Sequence, residues 1–187
     1  MLAQGELFAA PPVVPGLRLV EEAVSKAEER ALEACIDSAP LAPFRFGQWE
    51  GKRLTVHYGS AYDFSRHKLD EAPPLPDWLL DLRGKLAPQV GRDARAFAAA
   101  LLIRYDPGAG IGWHRDRPQY GEVLGLSLGI PCVLRLRRRT ADGFERRNVE
   151  LPPRSLYLLS GEVRSEWEHS IAPMDMTRRS ITLRTLR

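Results

Sequence analysis

The second half of the chain consists of many short apolar segments separated by turns. Short runs of apolar and β-branched residues bounded by turn residues are typical of strands. The predicted strands cover residues 123–130, 132–136, 148–151, 155–159 and 180–186. A chain with this many short strands in succession folds into a sandwich or a barrel.

Two helical patterns precede these strands. Residues 19–39 are rich in Ala and Glu, and apolar side chains recur at helical spacing until Pro40 ends the pattern. After the proline-rich connector at 72–76, Asp77 can cap a second helix that ends near Pro88 or Gly91. The whole pattern predicts an α+β domain with its N-terminal helices packed on one sheet.

Composition sets broad limits on the function. The 187 residues have the apolar and charged content of a soluble globular protein, and we expect one domain over 1–187 with a flexible arm at 1–16. No apolar run is long enough to span a bilayer. Cys35 and Cys132 are far apart, and the N-terminus lacks a signal-peptide pattern, so we expect reduced thiols in the cytoplasm. A net charge of +3 fits a polyanionic partner but does not establish one.

A short His-x-Asp pattern follows a turn rich in Gly and Pro within residues 104–116. Side chains alternate faces along an extended segment, so His114 and Asp116 point the same way. A second imidazole, His169, lies far downstream in a segment studded with charges. Two His and one carboxylate on one side of a metal form the ligand set of non-haem Fe(II) oxygenases. The alternative is that these are ordinary core or surface residues, since so short a pattern also arises by chance.

The last predicted strand carries two arginines on one face. By a period of two, Arg178, Ser180, Thr182 and Arg184 share a face. Arginine binds carboxylates through two parallel hydrogen bonds and keeps its charge, so this face could clamp a dicarboxylate cosubstrate. A solvated basic edge strand would carry the same pattern.

Aromatic and basic residues are interleaved within 44–68, where two short strands and a turn are expected. Basic groups hold phosphates and flat rings stack on bases, which would suit a nucleic-acid partner. An ordinary edge hairpin with aromatics in the core is the alternative. The candidates for contact with a base or phosphate are Trp49, Arg53, Tyr58 and Tyr62.

Taken together, several segments resemble the AlkB family of Fe(II)- and 2-oxoglutarate-dependent dioxygenases. The resemblance rests on residues 104–116, on Gly-Leu-Ser-Leu-Gly at 125–129, on 156–169 with its Ser-Gly-Glu-x-Arg, and on 178–184. It implies a double-stranded β-helix (jelly-roll) core with a β-hairpin lid at 44–68 for substrate recognition.

The resemblance also implies roles for individual residues. His114, Asp116 and His169 match the iron ligands and the catalytic centre. The cosubstrate 2-oxoglutarate would be held by Tyr105, Arg178, Ser180 and Arg184. Arg147 matches an arginine of the substrate pocket, and the aromatic hairpin corresponds to the lid.

The implied reaction is the oxidative demethylation of N-alkylated nucleobases in DNA or RNA, in repair of alkylation damage. It would consume O2 and 2-oxoglutarate and release succinate, CO2 and formaldehyde, in a protein expected to act as a monomer. Pro118 stands where base-demethylating members often carry Asp. This difference keeps open the alternative of a hydroxylase or demethylase of a modified tRNA nucleoside or a protein side chain. A nucleic-acid-binding domain without activity is a separate alternative.

Overall fold

The computed structural model describes residues 13–46, 48–63, 66 and 68–187, without the side chains of Phe46, Trp49, Tyr62, Asp63 and Leu69. The helices are α1 (Lys26–Ser38), α2 (Asp77–Leu86) and α3 (Gly161–Ser165). The strands before the second helix are β1 (Leu17–Val20), β2 (Ala42–Phe46), β3 (Trp49–Tyr58), β4 (Ser60–Asp63) and β5 (Lys68–Glu71). Those after it are β6 (Phe97–Tyr105), β7 (Ile111–His114), β8 (Tyr120–Leu128), β9 (Cys132–Thr140), β10 (Gly143–Leu151), β11 (Leu156–Leu159), β12 (Glu168–Ile171) and β13 (Arg178–Leu186).

Two sheets form the body of the fold. The large sheet has seven strands in the order β1-β11-β8-β13-β6-β3-β2, and the small sheet has four in the order β10-β9-β12-β7. Strands β4 and β5 form a separate two-stranded hairpin. Every pairing is antiparallel, and the non-sequential strand orders bring segments that are distant in the chain side by side.

The large sheet is covered on both faces, and the alternation of its side chains divides the core in two. On one face, Leu102 and Leu124 pack with Ile36 of α1 and Leu79 of α2 in a continuous apolar cluster. On the other face, the apolar side chains of β8 and β11 pack against those of the small sheet. The molecule therefore has three layers: the helices, the large sheet and the small sheet, in that order. Because side chains alternate along each strand, the large sheet has one apolar face for each neighbouring layer.

The N-terminal segment differs from the predictions. Residues 17–20 form β1, which pairs with β11, so the first helix begins only at Lys26. Ser25 and Glu28 form a capping box there, which satisfies amide groups at that end of the helix. Residues 1–12 of the predicted flexible arm lie outside the described residues. Within its last residues Val14 is packed, since it is 1% exposed in the core between the sheets, whereas Val13 is exposed.

The second helix forms where it was predicted, with a different start. The residue that precedes α2 is Pro76, and Asp77 is the first helical residue rather than the cap. A carboxylate in the first turn is still favourable because it lies near the positive end of the helix dipole. None of the helices in the described part of the chain is long and apolar enough to cross a membrane.

Neighbouring leucines on α2 test the layered packing. Leu79 is 0% exposed and Leu80 is 38% exposed. We expect Leu79→Ala to lower the free energy of unfolding by about 2–5 kcal/mol, because it leaves a cavity between helix and sheet. Leu80→Ala is the matched control and should change it by about 0.5 kcal/mol or less. Urea unfolding followed by circular dichroism measures both, and equal effects would contradict the packing of α2.

Candidate metal centre

A cavity of about 620 Å³ opens between the two sheets. Side chains of β3, β6 and β13 from the large sheet form one wall. The opposite wall comes from β7, β12 and the loop after β7. Leu101, Ile103 and Leu134 make much of the lining apolar, so the few polar groups among them act at low local dielectric.

Two imidazoles and one carboxylate meet at one side of this cavity. The pairing of β7 with β12 places His169 directly opposite His114. The Oδ1 atom of Asp116 lies 3.8 Å from Nε2 of His114 and 3.7 Å from Nε2 of His169. One ligand atom from each residue lies within 4.8 Å of the other two. The three residues predicted from the sequence are thus together, in an arrangement that can hold one metal ion.

Asp116 is held by a buried ion pair with Arg184. Nε of Arg184 donates to Oδ2 of Asp116 at 2.5 Å, while Oδ1 is the oxygen near the imidazoles. Burial alone would raise the pKa of the Asp116 carboxyl, but Arg184 and the two histidines hold that pKa below its usual range. Asp116 is therefore ionised at neutral pH, the form that binds a metal.

Both imidazoles are neutral at physiological pH. Burial lowers the pKa of His114, and burial together with the neighbouring His114 lowers the pKa of His169 to about 3. Nδ1 of His114 lies 2.9 Å from the carbonyl oxygen of Gly112, so in the neutral ring it is the nitrogen that donates. That leaves the lone pair on Nε2, facing Asp116, which is the usual arrangement of a metal-binding histidine.

Arg178 lies fully buried next to Tyr105 and is suited to an anionic ligand. Its Nε and Nη2 donate to Oγ of Ser127 at 3.2 and 3.0 Å, and its Cζ lies 5.2 Å from the centre of the Tyr105 ring. Its Nη1 is buried and has no hydrogen-bond partner among the described residues. A buried guanidinium without a carboxylate is costly, and a carboxylate of 2-oxoglutarate would satisfy it. Tyr105, Ser180 and Arg184 line the cavity, whereas Arg178 is not among the residues that line it. The prediction that these four residues hold 2-oxoglutarate remains a prediction.

Strand β3 supplies two further polar groups to the cavity wall. Arg53 hydrogen-bonds to Tyr105 and lies over the ring of Phe44, 4.2 Å from its centre. His57 lines the same wall, and its buried Nδ1 has no partner among the described residues. Burial, with the nearby Arg184 and Arg53, lowers the pKa of His57 to about 4. The hairpin sequence therefore does reach the cavity, through Arg53 and His57.

The predicted aromatic contacts from this hairpin have different outcomes. Tyr58 does not reach the cavity, because strand residues alternate and its side chain packs with the cluster under the helices. The side chains of Trp49 on β3 and Tyr62 on β4 lie outside the described residues, so their predicted roles remain predictions.

Arg147 also lies away from the cavity. It is exposed on β10, where Nη2 donates to Glu145 at 2.6 Å and Nη1 donates to the carbonyl oxygen of Arg146. The structure corrects its prediction as a substrate-pocket residue, since β10 is at the far edge of the small sheet from β7.

Several cavity residues were not predicted. Trp113, Tyr157 and Thr182 line the cavity, although only Thr182 had been placed on the arginine-bearing face. Because successive side chains of a strand point to opposite faces, Trp113 is expected on the face of β7 opposite to His114. Strand alternation therefore did not predict that Trp113 lines the cavity.

Arg164 of α3 fixes the loop that follows the metal-binding pair. Its Nε donates to the carbonyl oxygen of Gly121 at 2.6 Å, and its Nη2 donates to those of Arg117 and Tyr120 at 3.0 and 2.6 Å. The Ser-Gly-Glu-x-Arg motif at 160–164 was the sequence signal for this residue, but it gave no indication of what the guanidinium binds.

Comparisons with known proteins agree with this site. A family model described as the 2OG-Fe(II) oxygenase superfamily matches residues 37–187. The tRNA (carboxymethyluridine(34)-5-O)-methyltransferase alkbh8 of Xenopus tropicalis is 30% identical over 88% of this chain. The Alkylated DNA repair protein ALKBH8 homolog of Arabidopsis thaliana is 29% identical over 84% of it. The chain spans 26% of the length of the first protein and 51% of the second.

Solved structures share the fold. The structure of OsALKBH1 has a TM-score of 0.66 at 13% identity, covering 92% of this chain and 97% of that one. An oxidoreductase of the 2OG-Fe(II) oxygenase family from Burkholderia pseudomallei has a TM-score of 0.63 at 14% identity, covering 91% and 85%. These similarities confirm the predicted jelly-roll fold.

The buried state of His57 predicts a pH dependence of stability. Its pKa is about 4 in the folded protein against 6.5 for an exposed imidazole, so the unfolded chain binds one more proton between these values. Stability should therefore fall as the pH is lowered from 6.5 towards 4, by up to about 1.4 kcal/mol per pH unit from this residue. The variant His57→Gln should lack this contribution to the change of unfolding free energy with pH. Urea unfolding at several pH values, with a metal chelator present, measures that dependence. Equal slopes in both proteins would mean that His57 is solvated in the folded state.

Proposed function

The chain belongs to the 2OG-Fe(II) oxygenase superfamily and groups with AlkB proteins within it, and from this premise we propose that it oxidises a modified nucleobase in RNA. The observation that carries the proposal is the cavity lined by the three candidate metal ligands and the cationic Arg53. The buried Arg178, which forms no ion pair with a carboxylate among the described residues, lies next to Tyr105, a residue of the cavity wall. As an enzyme of this superfamily it uses Fe(II), 2-oxoglutarate and O2.

We assign the iron to His114, Asp116 and His169, and the distal carboxylate of 2-oxoglutarate to Arg178 with Tyr105. When bound, iron and 2-oxoglutarate supply the oxidising power: one oxygen atom of O2 goes to succinate, formed with CO2, and the other goes to a C–H bond of the substrate. The chain's own groups bind, orient and shield. Arg184 keeps Asp116 ionised and turned towards the imidazoles, and the apolar walls limit the access of water.

The charge of the cavity wall favours a substrate group that is not cationic. Arg53 lies in the wall and hydrogen-bonds to Tyr105, and in the described part of the chain no carboxylate forms an ion pair with it. A carboxylate or carbonyl group on the substrate would provide a further acceptor for its guanidinium group. The relative from Xenopus tropicalis is named for carboxymethyluridine in tRNA, which carries such a group. We therefore propose a uridine with an oxygen-rich side chain, in tRNA, as the first substrate to test.

The name of that relative also includes a methyltransferase activity, but this chain spans only 26% of the relative's length. We therefore do not carry the methyl transfer over to this chain. In this chain, residues 37–187 match the family model of the 2OG-Fe(II) oxygenase superfamily. The reaction proposed for this chain is accordingly hydroxylation of a C–H bond beside the acceptor group.

Demethylation of an N-alkylated base in DNA or RNA is the second candidate. The name of the Arabidopsis thaliana relative and the AlkB grouping favour it. In this reaction the hydroxylated methyl group leaves as formaldehyde. A base that becomes cationic on methylation would be repelled by Arg53 in a cavity of low dielectric, so neutral N-methylated bases fit better.

A panel of modified oligonucleotides separates the two candidates. Each is incubated with the protein, Fe(II), 2-oxoglutarate and O2, and then digested to nucleosides for mass spectrometry. Hydroxylation adds the mass of one oxygen atom, whereas demethylation removes one methylene and releases formaldehyde. We expect the oxygen gain on the carboxymethyl-type uridine. Succinate formation that no oligonucleotide stimulates would contradict a nucleic-acid substrate.

The assignment of Arg178 predicts a defect in cosubstrate binding. Arg178→Gln should raise the KM for 2-oxoglutarate at least tenfold, since a hydrogen bond to a charged group contributes about 1.5–3 kcal/mol. The matched control is Arg179→Gln, because the neighbouring guanidinium faces the helices and pairs with Asp37 and Glu33. Succinate formation without nucleic acid measures the KM, and thermal unfolding checks that each variant is folded. An unchanged KM in a folded Arg178→Gln variant would place the carboxylate elsewhere.

A further inference from the structure

The outward face of the small sheet carries a row of four arginines and two aromatic rings. We define the arginine face as Arg135, Arg137 and Arg139 of β9 and Arg146 of β10, with the rings of Trp113 and Phe144. The proposed function uses none of these residues, although Trp113 also lines the cavity.

Strand alternation and register place the four arginines together. Leu134 and Leu136 of β9 are buried between the sheets, so the odd-numbered arginines point outward. The register pairs Arg146 with Arg137 and Phe144 with Arg139. Arginines two residues apart on a strand lie about 6.6 Å apart, which is comparable to the spacing of successive phosphates in an extended single strand.

The aromatic rings hold the guanidinium groups in a continuous row. Arg135 and Arg137 lie over the ring of Trp113, at 5.2 and 4.5 Å from its centre. Phe144 contacts Arg137 at 4.4 Å and Arg139 at 5.2 Å, and Arg146 lies 5.6 Å from the same ring. Stacking on a ring restrains a long side chain before a partner arrives, which lowers the entropy lost on binding.

Most of the positive charge on this face is not compensated. Glu168 pairs with Arg137 at 2.5 Å, and no other acidic partner of the four arginines is found among the described residues. The contrast is Arg138, on the opposite side of the same strand, which contacts three glutamates: Glu145, Glu162 and Glu166. The face therefore has a net charge of about three positive units available for a polyanion.

The arginine face borders the cavity at Trp113, which lines the cavity and has Arg135 and Arg137 over its ring. Trp113 stands at its end and precedes His114, a candidate metal ligand. Ser170 of β12 accepts a hydrogen bond from Arg135 and follows His169, another candidate ligand. A nucleic-acid strand lying along the arginines would therefore reach the cavity at Trp113, and one of its bases would have to turn out of the strand to enter the cavity.

From these observations we propose that the arginine face binds the phosphate backbone of a single-stranded nucleic-acid segment next to the nucleotide that enters the cavity. The proposal rests on the proposed function, because it takes the substrate base to be part of a longer strand. A regular row of guanidinium groups matches repeated phosphates, and its position fixes which side of the cavity the flanking nucleotides occupy.

The test compares two doubly substituted proteins with equal charge change. Arg139→Gln with Arg146→Gln removes two of the three arginines of this face that form no ion pair among the described residues, and both of them stack on the ring of Phe144. The control is Arg30→Gln with Arg95→Gln, exposed arginines on the helix layer. Binding of a fluorescein-labelled single-stranded RNA is measured by anisotropy over a series of salt concentrations, with poly-glutamate as a competing polyanion. Succinate formation without RNA serves as the check of the active site.

We expect the face variant to bind RNA at least fivefold more weakly and its plot of log affinity against log salt to be shallower by about 1.4, for two lost phosphate contacts. The control should bind like the unmodified protein, and both variants should form succinate at the unmodified rate. An unchanged salt slope in the face variant, or poly-glutamate binding as tight as RNA, would overturn the proposal while leaving the proposed function intact. If the unmodified protein binds no RNA, both proposals fail.

Discussion

The buried carboxylate of Asp116 is the interaction on which the rest of the site depends. One of its oxygens accepts from Arg184 of the large sheet, and the other faces the imidazoles carried by the small sheet. A carboxylate could not remain ionised between two sheets without that guanidinium, since burial opposes its charge. The same ion pair connects the large sheet to the loop after β7 in the lining of the cavity. The geometry of the site therefore depends on how the two sheets pack.

The cavity follows from the way the large sheet divides its side chains. Apolar residues on one face of β6 and β13 pack under the helices, which leaves the other face free to present Tyr105, Ser180 and Arg178 towards the small sheet. The helices thus stabilise one face of the large sheet, while its other face can carry polar and charged groups. On the side of the cavity formed by the small sheet, Arg164 stabilises the segment after Asp116 by donating to three of its carbonyl groups.

The sequence was most informative where a physical rule links near neighbours. The alternation of strand residues correctly placed His114 with Asp116 on one side, and helical spacing gave both long helices. Predictions failed where the outcome depends on which strands become neighbours. Residues 19 and 20 were predicted as the start of the first helix, but they belong to β1, which pairs with β11 more than a hundred residues away. Tyr58 and Arg53 belong to the same strand, and only the position of the helix layer decides that Arg53 faces the cavity and Tyr58 does not. Arg147 was misplaced because the order of strands in the small sheet cannot be derived from local pattern.

Metal binding is the measurement that tests the central claim most directly. Anaerobic calorimetric titration of the protein with Fe(II) should give one site per chain, and Asp116→Asn should weaken it by at least tenfold while the folded structure is kept, as judged by circular dichroism. Removal of the charge eliminates the attraction to the metal and leaves Arg184 without its carboxylate. Unchanged stoichiometry and affinity in the folded Asp116→Asn variant would contradict the account, because the ion would then be held somewhere other than between these two sheets.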